Sequence, residues 1–195
     1  MWDRLRYTLW APAYDAIVGA AGFNTARGLS IDRLRLASGD RVLIVGAGTG
    51  LDLGLLPPNV DVTAIDVTPA MLRHLERRAA GTGRSVATRI MDARQLAFSD
   101  SSFDAIVMHL ILAVMPQPEC GVREAARVLK PGGRIAVFDK FLRDDERPSL
   151  KRRLLNAVAK PLFSDLNRRL GPLISGTRLV TEHDEPVALA GRIGW

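Results

Sequence analysis

Short apolar runs alternate with amphipathic segments through the middle of this 195-residue chain. The runs are rich in β-branched residues and are bounded by turn-forming residues, which is the pattern of buried strands. We predict five strands, at 41–45, 60–66, 85–91, 103–109 and 134–139. The helices predicted between them lie at 51–56, 69–80 and 119–129. This alternation predicts an α/β fold with a Rossmann-like, doubly wound and mostly parallel sheet.

The first predicted strand runs into a turn with glycine at alternate positions, Gly46, Gly48 and Gly50. Strand, glycine-rich turn and helix form the opening unit of nucleotide-binding sheets, because glycine lets the backbone approach the ligand. Asp66 closes the second predicted strand, where a carboxylate can accept hydrogen bonds from both hydroxyls of a ribose. The turn and the acid together predict an adenosine-type ligand. The dinucleotide fingerprint would require glycine at Leu51, so an NAD-dependent oxidoreductase is disfavoured.

The segment before the first strand carries a helical pattern. Residues 1–37 predict an N-terminal helical cap, with aromatic and aliphatic positions at helical intervals and a second helix over 24–37. Tyr14 lies in this cap, and it either covers the ligand or packs in the core. The pattern leaves both interpretations open.

The segment after the fifth strand combines a basic amphipathic stretch with two further strands. Apolar residues recur at helical intervals over 149–170, and Lys and Arg occupy positions between them. Such a stretch suits an anionic membrane surface, or it is a crossover helix with a solvated basic face. Strands are predicted at 177–187 and 188–195.

Length and pattern predict one domain over residues 1–195. Its parts are the cap (1–37), a cofactor-binding core (38–140) and the amphipathic helices with the terminal strands (141–195).

Composition adds a positive net charge and a lone cysteine. The formal charge of +6 draws attention to anionic partners. Cys120 is the only cysteine, so no internal disulfide forms and a reducing compartment is expected. No secretory signal and no bilayer-spanning apolar run are evident, and we expect a cytoplasmic protein with peripheral contact to the inner face of a membrane. No cluster has metal-ligand spacing, and no feature indicates an obligate protein partner.

Five motifs in order carry a family resemblance. They are residues 42–50 (VLIVGAGTG), 64–66 (AID), 91–93 (MDA), 102–107 (SFDAIV) and 127–133 (RVLKPGG). This series resembles class I S-adenosylmethionine-dependent methyltransferases. The leading segment 10–15 resembles that of bacterial phosphatidylethanolamine N-methyltransferases and of the ubiquinone/menaquinone C-methyltransferase group. Segments 109–112 and 138–142 favour the phospholipid enzymes.

The resemblance implies S-adenosylmethionine as cofactor and assigns a set of residues to it. The glycine turn approaches the methionine and ribose, Asp66 holds the ribose hydroxyls, and Asp92 accepts from the adenine amino group. One departure stands out, because the family has an acid in the first strand where this chain has Ile44. That acid helps to organise the methionine end of the cofactor, so its absence implies weaker binding, a substitute partner or loss of activity. The implied cofactor-binding residues are Tyr14, Gly46, Ala47, Gly48, Gly50, Asp66, Val67, Met71, Asp92, Ala93 and His109.

The expected reaction is methyl transfer to the amine of a phospholipid such as phosphatidylethanolamine. Candidates for orienting the acceptor or moving its proton are Tyr14, His109 and Asp139, since His109 ends the fourth predicted strand at the ligand crevice. Two alternatives stay open: C- or O-methylation of a quinone precursor or other small molecule, and a non-catalytic cofactor- or membrane-binding module. Nucleic acid is disfavoured as acceptor, because no base-handling Asn-Pro-Pro-Tyr motif follows the fourth strand.

Overall fold

The computed structural model describes residues 21–150, 152–154, 156–157, 165–187 and 191–194, and these form a seven-stranded sheet with helices packed on both faces. The strands are β1 (Arg41–Val45), β2 (Asp61–Asp66), β3 (Val86–Ile90), β4 (Phe103–His109), β5 (Leu129–Asp139), β6 (Asp184–Val187) and β7 (Gly191–Gly194). The helices are α1 (Ala21–Asp32), α2 (Pro69–Gly81), α3 (Pro118–Val128) and the short α4 (Leu170–Ile174). A 3₁₀ helix spans Leu51–Leu55, and the backbone is helical at 150, 152–154 and 156–157.

The strand order across the sheet is β3-β2-β1-β4-β5-β7-β6. Strands β1 to β5 are parallel, whereas β7 pairs antiparallel with both β5 and β6. The predicted doubly wound, mostly parallel sheet is confirmed. The chain passes from β3 to β4 by crossing over β2 and β1, so the connections on either side of β1 leave in opposite directions. In open α/β sheets, ligands bind outside the carboxyl ends of the strands at such a switch point.

The core lies in two layers, because side chains of each central strand alternate between the faces of the sheet. On one face, Val42 and Ile44 pack with residues of α1, α2 and the 3₁₀ helix. On the other face, Leu43 and Val45 join a cluster that includes α3, and α4 packs against it. Full burial of one such aliphatic side chain contributes about 1.5–3 kcal/mol. This two-sided burial explains why the strands are almost continuously apolar.

The second predicted N-terminal helix is shifted relative to the structure. It was expected over 24–37, but α1 ends at Asp32. The backbone tightens there, because the amide of Arg35 donates to the carbonyl of Asp32 and Arg35 itself adopts a φ of +50°. A left-handed residue ends a right-handed helix.

Two strand boundaries also differ from the predictions. The fifth strand is predicted over 134–139 after a helix over 119–129, yet β5 begins at Leu129 opposite Phe103, includes 130–133 and is irregular there. The sixth strand was expected over 177–187, but only its last four residues are extended in the sheet. The Thr177 hydroxyl accepts from the amide of Leu179 and donates to the carbonyl of Ile174, which fixes a turn instead.

Some predictions fall on residues outside the described ranges. These include Tyr14, the cap as far as residue 20, and positions 158–164 of the amphipathic stretch. Within the described residues, no helix combines the length and hydrophobicity that crossing a membrane requires.

Candidate cofactor site

The glycine turn after β1 has the backbone conformation that its sequence predicts. Gly46, Gly48 and Gly50 have φ values of +67°, +53° and +83°, a region that favours glycine. A β-carbon added at Gly46 would lie 2.7 Å from the side chain of Ile111, and one at Gly50 would lie 2.8 Å from Leu75. At Gly48 nothing lies within 4 Å of that position. The outer glycines therefore permit packing, whereas Gly48 leaves open space for a ligand.

Asp66 lies at the carboxyl end of β2 and joins that strand to the glycine turn. Its Oδ2 accepts from the amide of Gly48 at 3.0 Å, and its Oδ1 accepts from the amide of Thr68 at 2.8 Å. Each carboxylate oxygen has two acceptor sites, so both oxygens retain capacity for a ligand hydroxyl. Burial raises the pKa of the Asp66 carboxyl, although these backbone hydrogen bonds oppose the shift. The predicted ribose-binding acid therefore lies against the open glycine.

Val67 and Met71, which the resemblance assigns to the lining of the adenine, follow Asp66 in the chain. Val67 is 39% exposed, which is unusual for valine next to a core strand, whereas Met71 is buried. The amide of Met91 donates to the carbonyl of Asp66 at 3.1 Å, which brings the end of β3 to this place. An exposed valine beside a polar strand end suits the flat face of a base.

Asp92 follows β3 and is held by Arg94, a partner that sequence reasoning missed. Arg94 Nη2 donates to Asp92 Oδ2 at 2.7 Å, and the Arg94 amide donates to Asp92 Oδ1 at 2.9 Å. The Asp92 side chain is 43% exposed. Ala93 is buried in the apolar cluster next to α3. An acid two residues before an arginine is the only sequence signal for this pairing.

His109 is enclosed in a buried polar chain, whereas we predicted that it faces the ligand crevice. Its Nδ1 lies 2.8 Å from Asp52 Oδ1, and its Nε2 lies 3.1 Å from the hydroxyl of Ser30. Arg27 Nη1 donates to the same Asp52 oxygen at 2.7 Å. The alternation of β4 explains this placement, because it directs His109 to the face that carries Val107 and α1.

The charge of Asp52 is fixed by this environment. Burial acts to raise the pKa of the Asp52 carboxyl, but the electrostatic interactions and hydrogen bonds of His109 and Arg27 outweigh it. They hold the pKa of Asp52 well below its usual range. The buried carboxylate is therefore ionised at neutral pH, and it links α1, the 3₁₀ helix and the end of β4.

Asp139 is also buried, at the carboxyl end of β5. Its Oδ2 accepts from the amide of Ala113 and its Oδ1 from the amide of Lys140, each at 2.8 Å. Burial raises the pKa of this carboxyl. These hydrogen bonds fix the loop that follows β4, and this loop places Ile111 on Gly46. In this arrangement Asp139 positions the loop, and we predicted instead that it handles the acceptor directly.

The same loop is held from its other side by a segment that sequence reasoning did not connect with the site. Arg168 Nη1 donates to the carbonyls of Leu112 and Met115, the latter at 2.9 Å. The amide of Asp165 donates to the carbonyl of Ala113 at 2.8 Å. The end of the basic stretch therefore contacts the rim of the candidate site. Among the described residues, no cluster of His, Cys, Asp and Glu could hold a metal ion.

Comparison with known proteins finds a methyltransferase domain model and methyltransferases that this chain is similar to. Residues 43–137 match the family model described as a methyltransferase domain. A phosphatidylethanolamine N-methyltransferase of Cereibacter sphaeroides is 41% identical over 110 residues, which is 55% of this chain and 54% of the relative. A demethylmenaquinone methyltransferase of Clavibacter sepedonicus is 41% identical over 103 residues, or 52% of this chain and 42% of the relative. The chain thus spans about half the length of the curated relatives it matches.

Solved structures share the fold over more of the chain. The YcgJ protein of Bacillus subtilis superposes with a TM-score of 0.72 at 26% identity, covering 82% of this chain and 70% of its own. The [4+2]-cyclase SpnF has a TM-score of 0.66 at 27% identity, covering 75% of this chain and 62% of its own. Residues 43–137 thus match a methyltransferase domain, and the motif series and the strand order are similar to those of class I S-adenosylmethionine-dependent methyltransferases.

Proposed function

We propose that this protein transfers a methyl group from S-adenosylmethionine to the amine of a lipid-like acceptor such as phosphatidylethanolamine. The observation that carries the cofactor is the contact between Asp66 and the amide of Gly48. This contact places a carboxylate with free acceptor capacity beside a glycine that leaves open space. A ribose with two hydroxyls fits such a pair, so the residues present suit the cofactor.

The cofactor-binding residues proposed here follow the strand ends. Asp66 holds the ribose, Val67 and Met71 form the adenine wall, and Asp92 with Ala93 lies at its edge. The turn residues Gly46, Ala47, Gly48 and Gly50 provide backbone approach. Tyr14 is proposed as a cap over the ligand on sequence grounds alone, since it lies outside the described residues.

Methyl transfer mainly requires the protein to align the acceptor with the methyl group and to exclude water. When bound, S-adenosylmethionine supplies a methyl group already activated by its sulfonium. The chain must hold the acceptor in line with that methyl group, and the loop after β4 is the proposed element for this role. Asp139 and Arg168 fix this loop from two sides. An amine attacks only when it is neutral, and the apolar surface that Ile111 contributes favours the neutral form.

The acceptor is proposed to be a lipid because of the surface beside the site. Leu150 and Leu154 lie one helical turn apart and are 71% and 65% exposed. Arg147 and Arg153 are exposed next to them. Exposed leucines flanked by cations suit an anionic membrane interface, so we propose peripheral binding through residues 149–170. The phosphatidylethanolamine N-methyltransferase relative supports an amine acceptor.

A second candidate is C- or O-methylation of a quinone precursor. The demethylmenaquinone methyltransferase relative has the same 41% identity and favours it. A third candidate is a cofactor-binding protein without methyl transfer, because the fold is shared with a protein described as a [4+2]-cyclase and a fold alone does not fix the chemistry.

The test is a transfer assay with S-adenosylmethionine labelled at its methyl group. Phosphatidylethanolamine vesicles, a demethylated quinone and an RNA are offered in parallel. Label in the phospholipid supports the proposal, whereas label confined to the quinone supports the second candidate. Binding of S-adenosylhomocysteine with no label in any acceptor would leave the non-catalytic alternative. Asp66→Ala serves as the negative control.

A further inference from the structure

The buried chain formed by Arg27, Asp52, His109 and Ser30 leaves one buried donor without a partner among the described residues, and one carboxylate oxygen that takes no part in the chain. Arg27 and Asp52 are each only 4% exposed. The Nε of Arg27 is buried and makes no hydrogen bond to any described residue. Asp52 uses Oδ1 for both Arg27 and His109, so its Oδ2 takes no part in these hydrogen bonds. Buried charged groups normally satisfy their hydrogen-bonding capacity, so the Nε of Arg27 requires an explanation, and the adjacent Asp52 Oδ2 is available to the same ligand.

The two atoms have opposite character. An Arg Nε–H can only donate, whereas a carboxylate oxygen can only accept. A ligand that satisfies both must present an anionic acceptor and a cationic donor close together. The zwitterionic end of an amino acid, with its α-carboxylate and α-ammonium, has this composition. S-Adenosylmethionine carries such an end.

The position of Arg27 and Asp52 in the fold agrees with the order of adenine, ribose and amino-acid end in the ligand. Across the sheet, Asp92 follows β3, Asp66 ends β2, the glycine turn follows β1, and His109 ends β4. Adenine at β3 and ribose at β2 direct the rest of the ligand over β1 toward β4. Asp52 contacts His109 there, two residues after Gly50. The amino-acid end of the ligand is therefore expected at the strand end where Arg27 Nε and Asp52 Oδ2 lie.

The other buried carboxylate and β1 itself do not offer this function. Asp139 uses both oxygens for backbone amides. Ile44 on β1 is 1% exposed inside an apolar cluster, so the strand contributes no acid. Of the buried carboxylates among the described residues, Asp52 is thus the one whose side-chain hydrogen bonds all use a single oxygen, Oδ1.

We propose that Arg27 and Asp52 bind the amino-acid end of the methyl donor, with Arg27 Nε donating to the α-carboxylate and Asp52 Oδ2 accepting from the α-ammonium. His109 and Ser30 act as positioning residues that hold the Asp52 carboxylate in place. The proposal rests on the proposed cofactor, and it gives Ile44 a compensating partner on a different element.

The test compares two ligands that differ only at this end. S-Adenosylhomocysteine has the amino-acid end, and 5′-methylthioadenosine lacks it. Calorimetry on Asp52→Asn is expected to show roughly 10- to 100-fold weaker S-adenosylhomocysteine binding, because a hydrogen bond to a charged group is lost, with 5′-methylthioadenosine affinity within about twofold of wild type. Arg27→Gln is expected to weaken S-adenosylhomocysteine but to leave its decarboxylated analogue unchanged.

Matched variants separate binding from stability. Asp104→Asn changes a carboxylate at the opposite end of the sheet, where it accepts from the Arg41 amide at 3.0 Å and Lys130 Nζ at 2.7 Å. It is expected to leave both affinities unchanged. If Asp52→Asn does not fold, Ser30→Ala removes one hydroxyl from the chain and is expected to weaken S-adenosylhomocysteine selectively.

Equal losses for the two ligands, in Asp52→Asn or in Ser30→Ala, would overturn the proposal and leave the buried chain a purely structural role. Failure of the wild-type protein to bind either ligand would instead refute the proposed cofactor.

Discussion

Replacing Gly48 or Gly50 with alanine adds one methyl group, and the two replacements are expected to have different consequences. Both residues are left-handed, with φ values of +53° and +83°, so alanine at either costs about 1–2 kcal/mol of backbone strain. At Gly50 the new β-carbon also lies 2.8 Å from Leu75 and 3.2 Å from Leu53. Leu75 is fully buried, so relieving this contact costs about 1–3 kcal/mol more. Gly50→Ala should therefore lose about 2–5 kcal/mol of unfolding free energy.

Gly48→Ala should lose only the backbone contribution, because nothing lies within 4 Å of its β-carbon. The methyl group would instead occupy the space assigned to the ligand, and S-adenosylhomocysteine should bind at least roughly tenfold more weakly. Urea unfolding gives the stability and calorimetry gives the affinity. Gly54→Ala, whose β-carbon is also free of contacts, is the control and should change unfolding by less than about 0.5 kcal/mol. Wild-type affinity in Gly48→Ala would refute the assignment of the open space.

Three further outcomes are expected. S-Adenosylhomocysteine should bind with full affinity above the raised pKa of Asp66 and more weakly as the pH falls through that pKa, because a protonated carboxyl loses acceptor capacity. The loss of affinity should begin at a pH above the ordinary pKa of 3.8. Asp66→Asn should lack this pH dependence in calorimetry. Arg168→Met keeps the length of the stem but removes the donors to the Leu112 and Met115 carbonyls, and urea unfolding should show a loss of about 1.5–3 kcal/mol. Leu150→Gln with Leu154→Gln should reduce sedimentation with anionic vesicles at low salt, and unchanged sedimentation would argue against this face as the membrane contact.

The sequence supports the central strands and the cofactor turn because their signals are local. Apolar β-branched runs mark β1 and β4, and the spacing of Gly46, Gly48 and Gly50 follows from the backbone that the turn requires. The predicted start of β5 at residue 134 was wrong, because Pro131 and the glycines that follow it usually end an element. Here Leu129 pairs with Phe103 before the irregular stretch, and that pairing is visible only in the sheet.

The surroundings of the site depend on contacts between distant parts of the chain. Asp52 and Ser30 contact His109 although 57 and 79 positions separate them from it along the sequence, and Arg27 joins them through Asp52. The spacing of residues along the sequence does not predict a contact between such distant positions. The face on which His109 lies does follow from strand alternation with Val107, but its partners do not.

Calorimetric titration of the wild-type protein with S-adenosylhomocysteine and, separately, with NAD tests the cofactor assignment most directly. The glycine turn, Asp66 and the strand order lead us to expect micromolar binding of S-adenosylhomocysteine and no binding of NAD. Tight NAD binding with no heat from S-adenosylhomocysteine would contradict it.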